Sequence, residues 1–225
     1  MTKAILIDID NTLLDFHLSV ADTLERVFER FEINFSTEYV PVFLEINDGL
    51  WRKIEKGELT REGLFKIRFD TVFKALKINR DGAPVETAFR QELFHSAIPV
   101  QGAKELLEYL SSKYEVYAAS NAIYDQQVHR LKKAGLFKYI KDIFVSEKIG
   151  FQKPTREFFD FCFNSIGNVT KEQVVMIGDS LTADIKGGNE YGITTVWYNH
   201  GSAQDNSDII PDYKVDKLID IKNIL

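Results

Sequence analysis

Asp8 and Asp10 stand two residues apart where the apolar run Ala4-Ile5-Leu6-Ile7 gives way to Asp8-Ile9-Asp10-Asn11-Thr12. Two carboxylates this close repel one another unless a cation or a proton offsets the charge, so the pair suits metal binding or proton exchange. Alone, a D-x-D is more often a solvated acidic turn than a site. Three further clusters change that balance: Ser120-Asn121, a hydroxyl and an amide; Gly150-Phe151-Gln152-Lys153-Pro154, an amine just ahead of a helix start; and Gly178-Asp179-Ser180, with Asp184 five residues after Asp179. Each has a plain reading by itself, as a helix cap, a surface charge, a turn former or a solvated helix position. Together they form an ordered set, each member following a predicted strand, and chance is a poor explanation for that.

The element that must position them is a parallel sheet. Residues 4–10 read as a strand buried on both faces, whose period of two puts Asp8 and Asp10 on one side as the chain leaves the sheet. Ligands in such sheets bind beyond the carboxyl ends of the strands. From Ile98-Pro99-Val100 onward, strands over 114–119, 143–145, 174–177 and 193–197 alternate with helices over 101–112, 125–134, from near Pro154, and over 181–191. That alternation implies right-handed crossovers and helices on both faces. Residues 201–210 read as an exposed loop, followed by a short strand near 213–215 and a terminal helix from 217.

Between the first strand and the rest lies an all-helical block. Helices are predicted over 19–33, 37–56 and 60–76, the third capped by Thr60 after a break at Gly57, and a fourth opens at Pro84. Pro41 falls inside or at the edge of the second. Phe16, Phe43 and Phe65 are expected in the core of this block. The predicted organisation is an α/β core of residues 1–15 and 98–225 with an inserted helical domain over 16–97.

Composition narrows the class. With 225 residues, 44% hydrophobic and 28% charged, the chain has ample core material for one α/β domain with an insert. A formal charge of −6 argues against a nucleic-acid polymer as partner. No apolar run approaches the length of a membrane span, and Met1-Thr2-Lys3 leads straight into a strand without a signal-peptide pattern. The single cysteine, Cys162, excludes an intrachain disulfide, fits a cytoplasmic protein, and among Phe158, Phe159, Phe161 and Phe163 reads as a buried inert thiol.

The ordered set resembles the haloacid dehalogenase superfamily of phosphotransferases, over nearly the whole chain. The resemblance implies a Rossmann-like parallel-sheet core with a helical cap inserted in the first loop. It also implies Asp8 as nucleophile, Asp10 as general acid and base, and Ser120, Asn121 and Lys153 as phosphate-binding groups. Mg2+ would be held by Asp8, Asp179 and the backbone carbonyl of Asp10, with Asp184 supporting the metal site. A finer resemblance, to the bacterial pyrimidine 5′-nucleotidases, rests on Asn47-Asp48-Gly49-Leu50-Trp51, Glu55-Lys56-Gly57-Glu58-Leu59-Thr60, Ser146-Glu147-Lys148-Ile149-Gly150 and Thr194-Thr195-Val196-Trp197-Tyr198-Asn199. Ala122 departs from it, standing where family members often carry glycine. Asn47 and Trp51 are the candidate substrate contacts in the cap, and cap packing explains Trp51 equally well.

The implied activity is hydrolysis of a small phosphomonoester, a nucleoside 5′-monophosphate first. An acid at Asp10 favours phosphoester over carbon–halogen cleavage, because halide leaves without a proton. A sugar-phosphate phosphatase or phosphomutase of the same superfamily is the alternative, and a non-catalytic module the reading from a different class. The two chain crossings near Asp15-Phe16 and Ile98-Pro99 are placed to serve as hinges.

Overall fold

The computed structural model describes residues 1–200 and 208–225, so most of the loop expected over 201–210 lies outside the described residues. The chain divides into two compact units, Met1–Asp15 with Ala97–Leu225, and Phe16–Ser96. Strand β1 (Ala4–Ile7) is followed by the four helices of the second unit, α1 (Phe16–Arg30), α2 (Tyr39–Glu55), α3 (Arg61–Leu76) and α4 (Gly82–His95). The first unit resumes with α5 (Ala103–Lys113), β2 (Glu115–Ser120), α6 (Tyr124–Lys133), β3 (Asp142–Val145), the one-turn α7 (Ser146–Ile149) and α8 (Arg156–Ile166). Then come β4 (Val174–Gly178), a π-helical turn (Leu181–Ile185) running into α9 (Lys186–Tyr191), β5 (Thr194–Tyr198) and β6 (Tyr213–Val215).

The strands form one parallel sheet in the order β3-β2-β1-β4-β5-β6. The chain leaves β1 toward β2 and β3, then returns to lay β4 on the other side of β1. That reversal opens a crevice at the carboxyl ends of β1 and β4, where such folds bind ligands. The strands' period of two divides the core between the faces. Ile5, Ile7, Val116, Ala118, Val175 and Ile177 belong to one cluster, and Ala4, Leu6, Tyr117, Ala119, Val174 and Met176 to the other. Each large side chain so buried contributes about 1.5–3 kcal/mol, and all four residues of β1 are buried.

β1 ends earlier than the predicted 4–10. Asp8 N–H still donates to Ile177 O (2.9 Å), but Leu13 and Leu14 N–H both donate to Ile9 O (2.8 Å each), closing a turn in which Asn11 takes a φ of 60°. Asparagine tolerates that left-handed conformation better than most residues. Past the turn, Asp15 N–H donates to Ile98 O (2.8 Å) and Val100 N–H to Leu13 O (3.0 Å), so the outgoing and returning chains run side by side. The terminal segment is a 3₁₀ helix, Leu218–Asn223, rather than an α-helix. Its buried residues, Leu218 and Ile221, are spaced by three, the 3₁₀ period.

The helical unit packs around Phe28, Phe43, Phe69, Phe73 and Phe89, all fully buried, with ring centroids of adjacent pairs 4.9–6.0 Å apart. Phe16 packs at the edge of that cluster and Phe65 beside a smaller one around Leu50, Ile54 and Leu64. Thr60 caps α3, accepting from Gly63 N–H (3.0 Å). Pro41 is tolerated as the third residue of α2, in the first turn where N–H groups have no intrahelical acceptor. α4 opens two residues before Pro84, because Asp81 caps it by accepting from Ala83 N–H (3.0 Å).

Candidate active site

The carboxyl ends of β1, β2 and β4 bring Asp8, Lys153, Asp179 and Asp184 together. Lys153 Nζ donates to Asp8 Oδ1 (2.7 Å), Asp184 Oδ1 (2.6 Å) and Ala119 O (2.6 Å). These three bonds use all three ammonium donors. The side chains of Lys153 and Asp184 are 2% and 1% exposed and that of Asp8 10%. Burial opposes the charge on Lys153, but Asp184 and Asp8 more than offset it and hold its pKa above the ordinary value.

Asn121, singled out as a phosphate-binding group, serves here as a clasp. Its Oδ1 accepts from Lys153 N–H and its Nδ2 donates to Lys153 O, both at 2.8 Å. The end of β2 thereby fixes the backbone from which the lysine projects. Asp184 reaches the lysine because the turn after β4 is π-helical, a distortion frequent at functional sites. Ser180 Oγ accepts from Ala183 N–H (3.1 Å) at the start of that turn, and Ser180 N–H donates to Asp184 Oδ2 (3.0 Å). Gly178 is required for this arrangement, since a Cβ there would lie 2.1 Å from Asp184 Oδ2. Gly178→Ala is therefore expected to displace Asp184 from Lys153. Breaking a buried ion pair costs about 3–5 kcal/mol, and the urea midpoint of the variant measures the loss.

Asp8, Asp179 and Asp184 each present a carboxylate oxygen, all within 4.8 Å of one another. Burial raises all three pKa values: Asp8 to about 7, helped by Asp184 and opposed by Lys153; Asp184 to about 6, opposed first by Lys153; and Asp179 in the same direction. Three clustered carboxylates, two of them buried and paired with one ammonium, leave an excess of negative charge that a divalent cation would offset. The all-oxygen donor set suits a hard cation. A cation would also pull Asp8 back to the ionised form that burial disfavours.

Asp179 is further held by Trp197 Nε1, which donates to its backbone O (2.8 Å), and by Thr12 Oγ1, which donates to Oδ1 (3.4 Å). His200 Nε2 lies 3.7 Å from Asp179 Oδ2, and the carboxylate raises the imidazole pKa. The spacing of the histidines gives no hint of this neighbour.

Asp10 does not share Asp8's partners. Early termination of β1 turns its carboxylate toward α6, where Oδ1 accepts from Arg130 Nη1 and Oδ2 from Gln127 Nε2, each at 2.6 Å. Gln127 Nε2 also donates to Ser120 Oγ (3.1 Å), which is 2% exposed as a residue. Sequence reasoning missed Gln127 and Arg130, although a Gln-x-x-Arg pair on the apolar side of an amphipathic helix, beside Leu131, is a readable signal.

The two cap candidates separate. Asn47 is 2% exposed inside the helical unit, its Oδ1 accepting from Arg68 Nη1 (2.8 Å). Arg68 is also doubly bonded to Glu86 (Nε to Oε2, 3.0 Å; Nη2 to Oε1, 2.7 Å), so the cluster ties α2, α3 and α4 together. In this structure the Asn47 carbonyl completes a buried guanidinium shell. Trp51, one turn later on α2, is half-buried against the Leu50–Ile54–Leu64 cluster.

The described residues contain no helix long and apolar enough to cross a membrane. The profile of haloacid dehalogenase-like hydrolases matches residues 2–192. The chain is 38% identical to the HAD-hydrolase YfnB of Bacillus subtilis over 99% of this chain and 95% of that one. A crystal structure of YfnB bound to magnesium superposes with a TM-score of 0.91, covering 100% of this chain and 98% of that chain. Two pyrimidine 5′-nucleotidases are also similar: PynA of Streptococcus pneumoniae at 33% identity, over 99% of this chain and 97% of PynA, and YjjG of Escherichia coli at 28%, over 98% and 96%. On the profile match and these identities, the chain belongs to the haloacid dehalogenase-like hydrolase family.

Proposed function

We propose that the protein is a Mg2+-dependent phosphomonoester hydrolase acting through an aspartyl-phosphate on Asp8, with nucleoside 5′-monophosphates, pyrimidine forms first, as substrates. The observation that carries the chemistry is the buried Asp8–Lys153–Asp184 arrangement beside Asp179. The nucleotide preference is supported by the likeness to PynA and YjjG. A sugar-phosphate phosphatase is the second reading, supported by a relative named glyceraldehyde 3-phosphate phosphatase from Methanopyrus kandleri, 24% identical over 96% of this chain.

Asp8, Asp179 and the backbone carbonyl of Asp10 would hold the cation, with Asp184 keeping Lys153 and the metal side of the site in register. When bound, the ion neutralises part of the phosphate dianion and of the charge that develops during transfer. Asp8 Oδ attacks phosphorus, the bond to the ester oxygen breaks, and Asp10 gives its proton to the departing alkoxide. Ionised Asp10 then takes a proton from water as the water oxygen attacks phosphorus, releasing inorganic phosphate and Asp8. Lys153 keeps positive charge at the nucleophile throughout, and the Ser120 hydroxyl would donate to a phosphoryl oxygen. The buried free thiol of Cys162 fits a cytoplasmic enzyme.

Excess chelator is expected to abolish phosphate release and Mg2+ to restore it. Ca2+ should restore it poorly, since its larger radius and higher coordination number suit Asp8 to ligation in a geometry unfit for in-line attack. Full activity in chelator would overturn the metal requirement. The substrate is tested by phosphate release over a panel of nucleoside monophosphates, sugar phosphates and phosphopeptides. Pyrimidine nucleotides should lead and phosphopeptides fail, whereas a panel led by sugar phosphates would favour the second reading. Trp51 is carried as the base-reading candidate of the helical unit. Trp51→Ala then lowers kcat/KM on nucleotides far more than on p-nitrophenyl phosphate; equal losses would make Trp51 a packing residue.

A further inference from the structure

We infer that Gln127 and Arg130, on one face of α6, are positioning residues that hold Asp10 and Ser120 in register for proton transfer, and this rests on the acid–base role proposed for Asp10. Asp10 needs such support. It sits past the end of β1, in a turn, and its side chain is 31% exposed. Arg130 is built for the task at a cost: its side chain is 2% exposed, and a guanidinium is expensive to bury without charged or polar compensation. The Asp10 carboxylate supplies that compensation through the 2.6 Å bond to Nη1, and charge-assisted bonds of this length are among the stronger ones.

Gln127 makes the arrangement specific. It is fully buried, and its Oε1 accepts from Arg130 Nη1 (3.1 Å). Because a guanidinium only donates, that bond orients the amide with its oxygen toward Arg130 and its nitrogen toward Asp10 Oδ2 and Ser120 Oγ. One amide group, with two hydrogens, therefore sets the separation of the acid–base carboxyl and the hydroxyl at the end of β2. The spacing i, i+3 puts Gln127 and Arg130 side by side on the helix. Neither residue touches reacting atoms in this scheme: Arg130 acts through Asp10, and Gln127 through Asp10 and Ser120.

The test is a double-mutant cycle with Asp10→Asn, read on phenyl phosphate and p-nitrophenyl phosphate. Phenolate is the more basic leaving group and depends more on a proton from Asp10, and neither ester needs the nucleotide assignment. General acid–base catalysis contributes about 10²–10⁴-fold, and misplacing a group by an ångström can cost about 10²-fold. Arg130→Met is therefore expected to lower kcat/KM on phenyl phosphate by about 100-fold and on p-nitrophenyl phosphate by about tenfold. In the Asp10→Asn background the same change should cost no more than about threefold, because its effect runs through the missing carboxylate. Arg130→Lys, which keeps the charge but loses the planar fork, should recover part of the loss. Gln127→Met carries the same cycle if Arg130→Met does not fold. Equal factors on the two esters, or an undiminished loss in the Asp10→Asn background, would overturn the inference. An impaired Asp10→Asn with an additive Arg130→Met overturns the positioning role alone. An Asp10→Asn that hydrolyses both esters at the wild-type rate overturns the acid–base role and the inference with it.

Discussion

Asp8→Asn is expected to lower kcat by about 10⁴-fold or more while the protein stays folded. The amide matches the carboxylate in shape and keeps an oxygen to accept from Lys153 Nζ, now 2.7 Å from Asp8 Oδ1. It has no anionic oxygen to attack phosphorus. The fold should tolerate the change because Asp8 shares a single ammonium with a second buried carboxylate, Asp184. Burial disfavours the charge on Asp8 by more than Lys153 favours it, so a neutral amide there costs the fold little while no cation is bound. The thermal midpoint in chelator should then be no lower than that of the wild type. A folded Asp8→Asn protein with substantial phosphatase activity would remove Asp8 as the nucleophile.

The second large effect is expected for Lys153→Met, on stability as well as activity. Lys153 is a buried charge bonded to Asp8, Asp184 and the carbonyl of Ala119. Methionine fills much of the same volume but leaves two buried carboxylates facing each other without their cation. Removing one partner of a buried pair costs about 3–5 kcal/mol, so the urea midpoint in chelator should fall clearly. Turnover should fall too, since Asp8 loses the donor that orients it. By contrast, loss of activity with unchanged stability would mean that Lys153 acts on substrate alone and does not hold the nucleophile.

The ends of the strands were the legible part of the sequence. Asp8, Lys153, Asp179 and Asp184 converge because strand periodicity and strand–helix alternation can be read locally, and a parallel sheet then fixes which ends meet. Less was legible where a side chain's partner depends on packing. Asp10 was expected beside Asp8, but β1 stops at Ile7 and the turn that follows sends it to α6. Arg130 and Gln127 share the apolar side of α6 with Leu131, a signal in the sequence, but that Asp10 is their partner is set by tertiary packing alone. Asn121 and Asn47 show the same limit. An amide next to a motif residue invites a ligand role, yet each is taken by a protein group, the backbone of Lys153 in one case and the guanidinium of Arg68 in the other. The start of α4 shifted by two residues for a related reason, since the cap at Asp81 is settled by a local hydrogen bond more than by apolar spacing.

The central claim is a phosphoryl group carried on Asp8. It is tested most directly by rapid acid quench of enzyme turning over p-nitrophenyl phosphate with Mg2+, followed by mass spectrometry of the peptide that contains Asp8 and Asp10. The account predicts one added phosphoryl group on that peptide, fragmenting to Asp8, labile to hydroxylamine and absent from Asp8→Asn. Turnover with no phosphorylated protein at any quench time, or with the group on another residue, would contradict it.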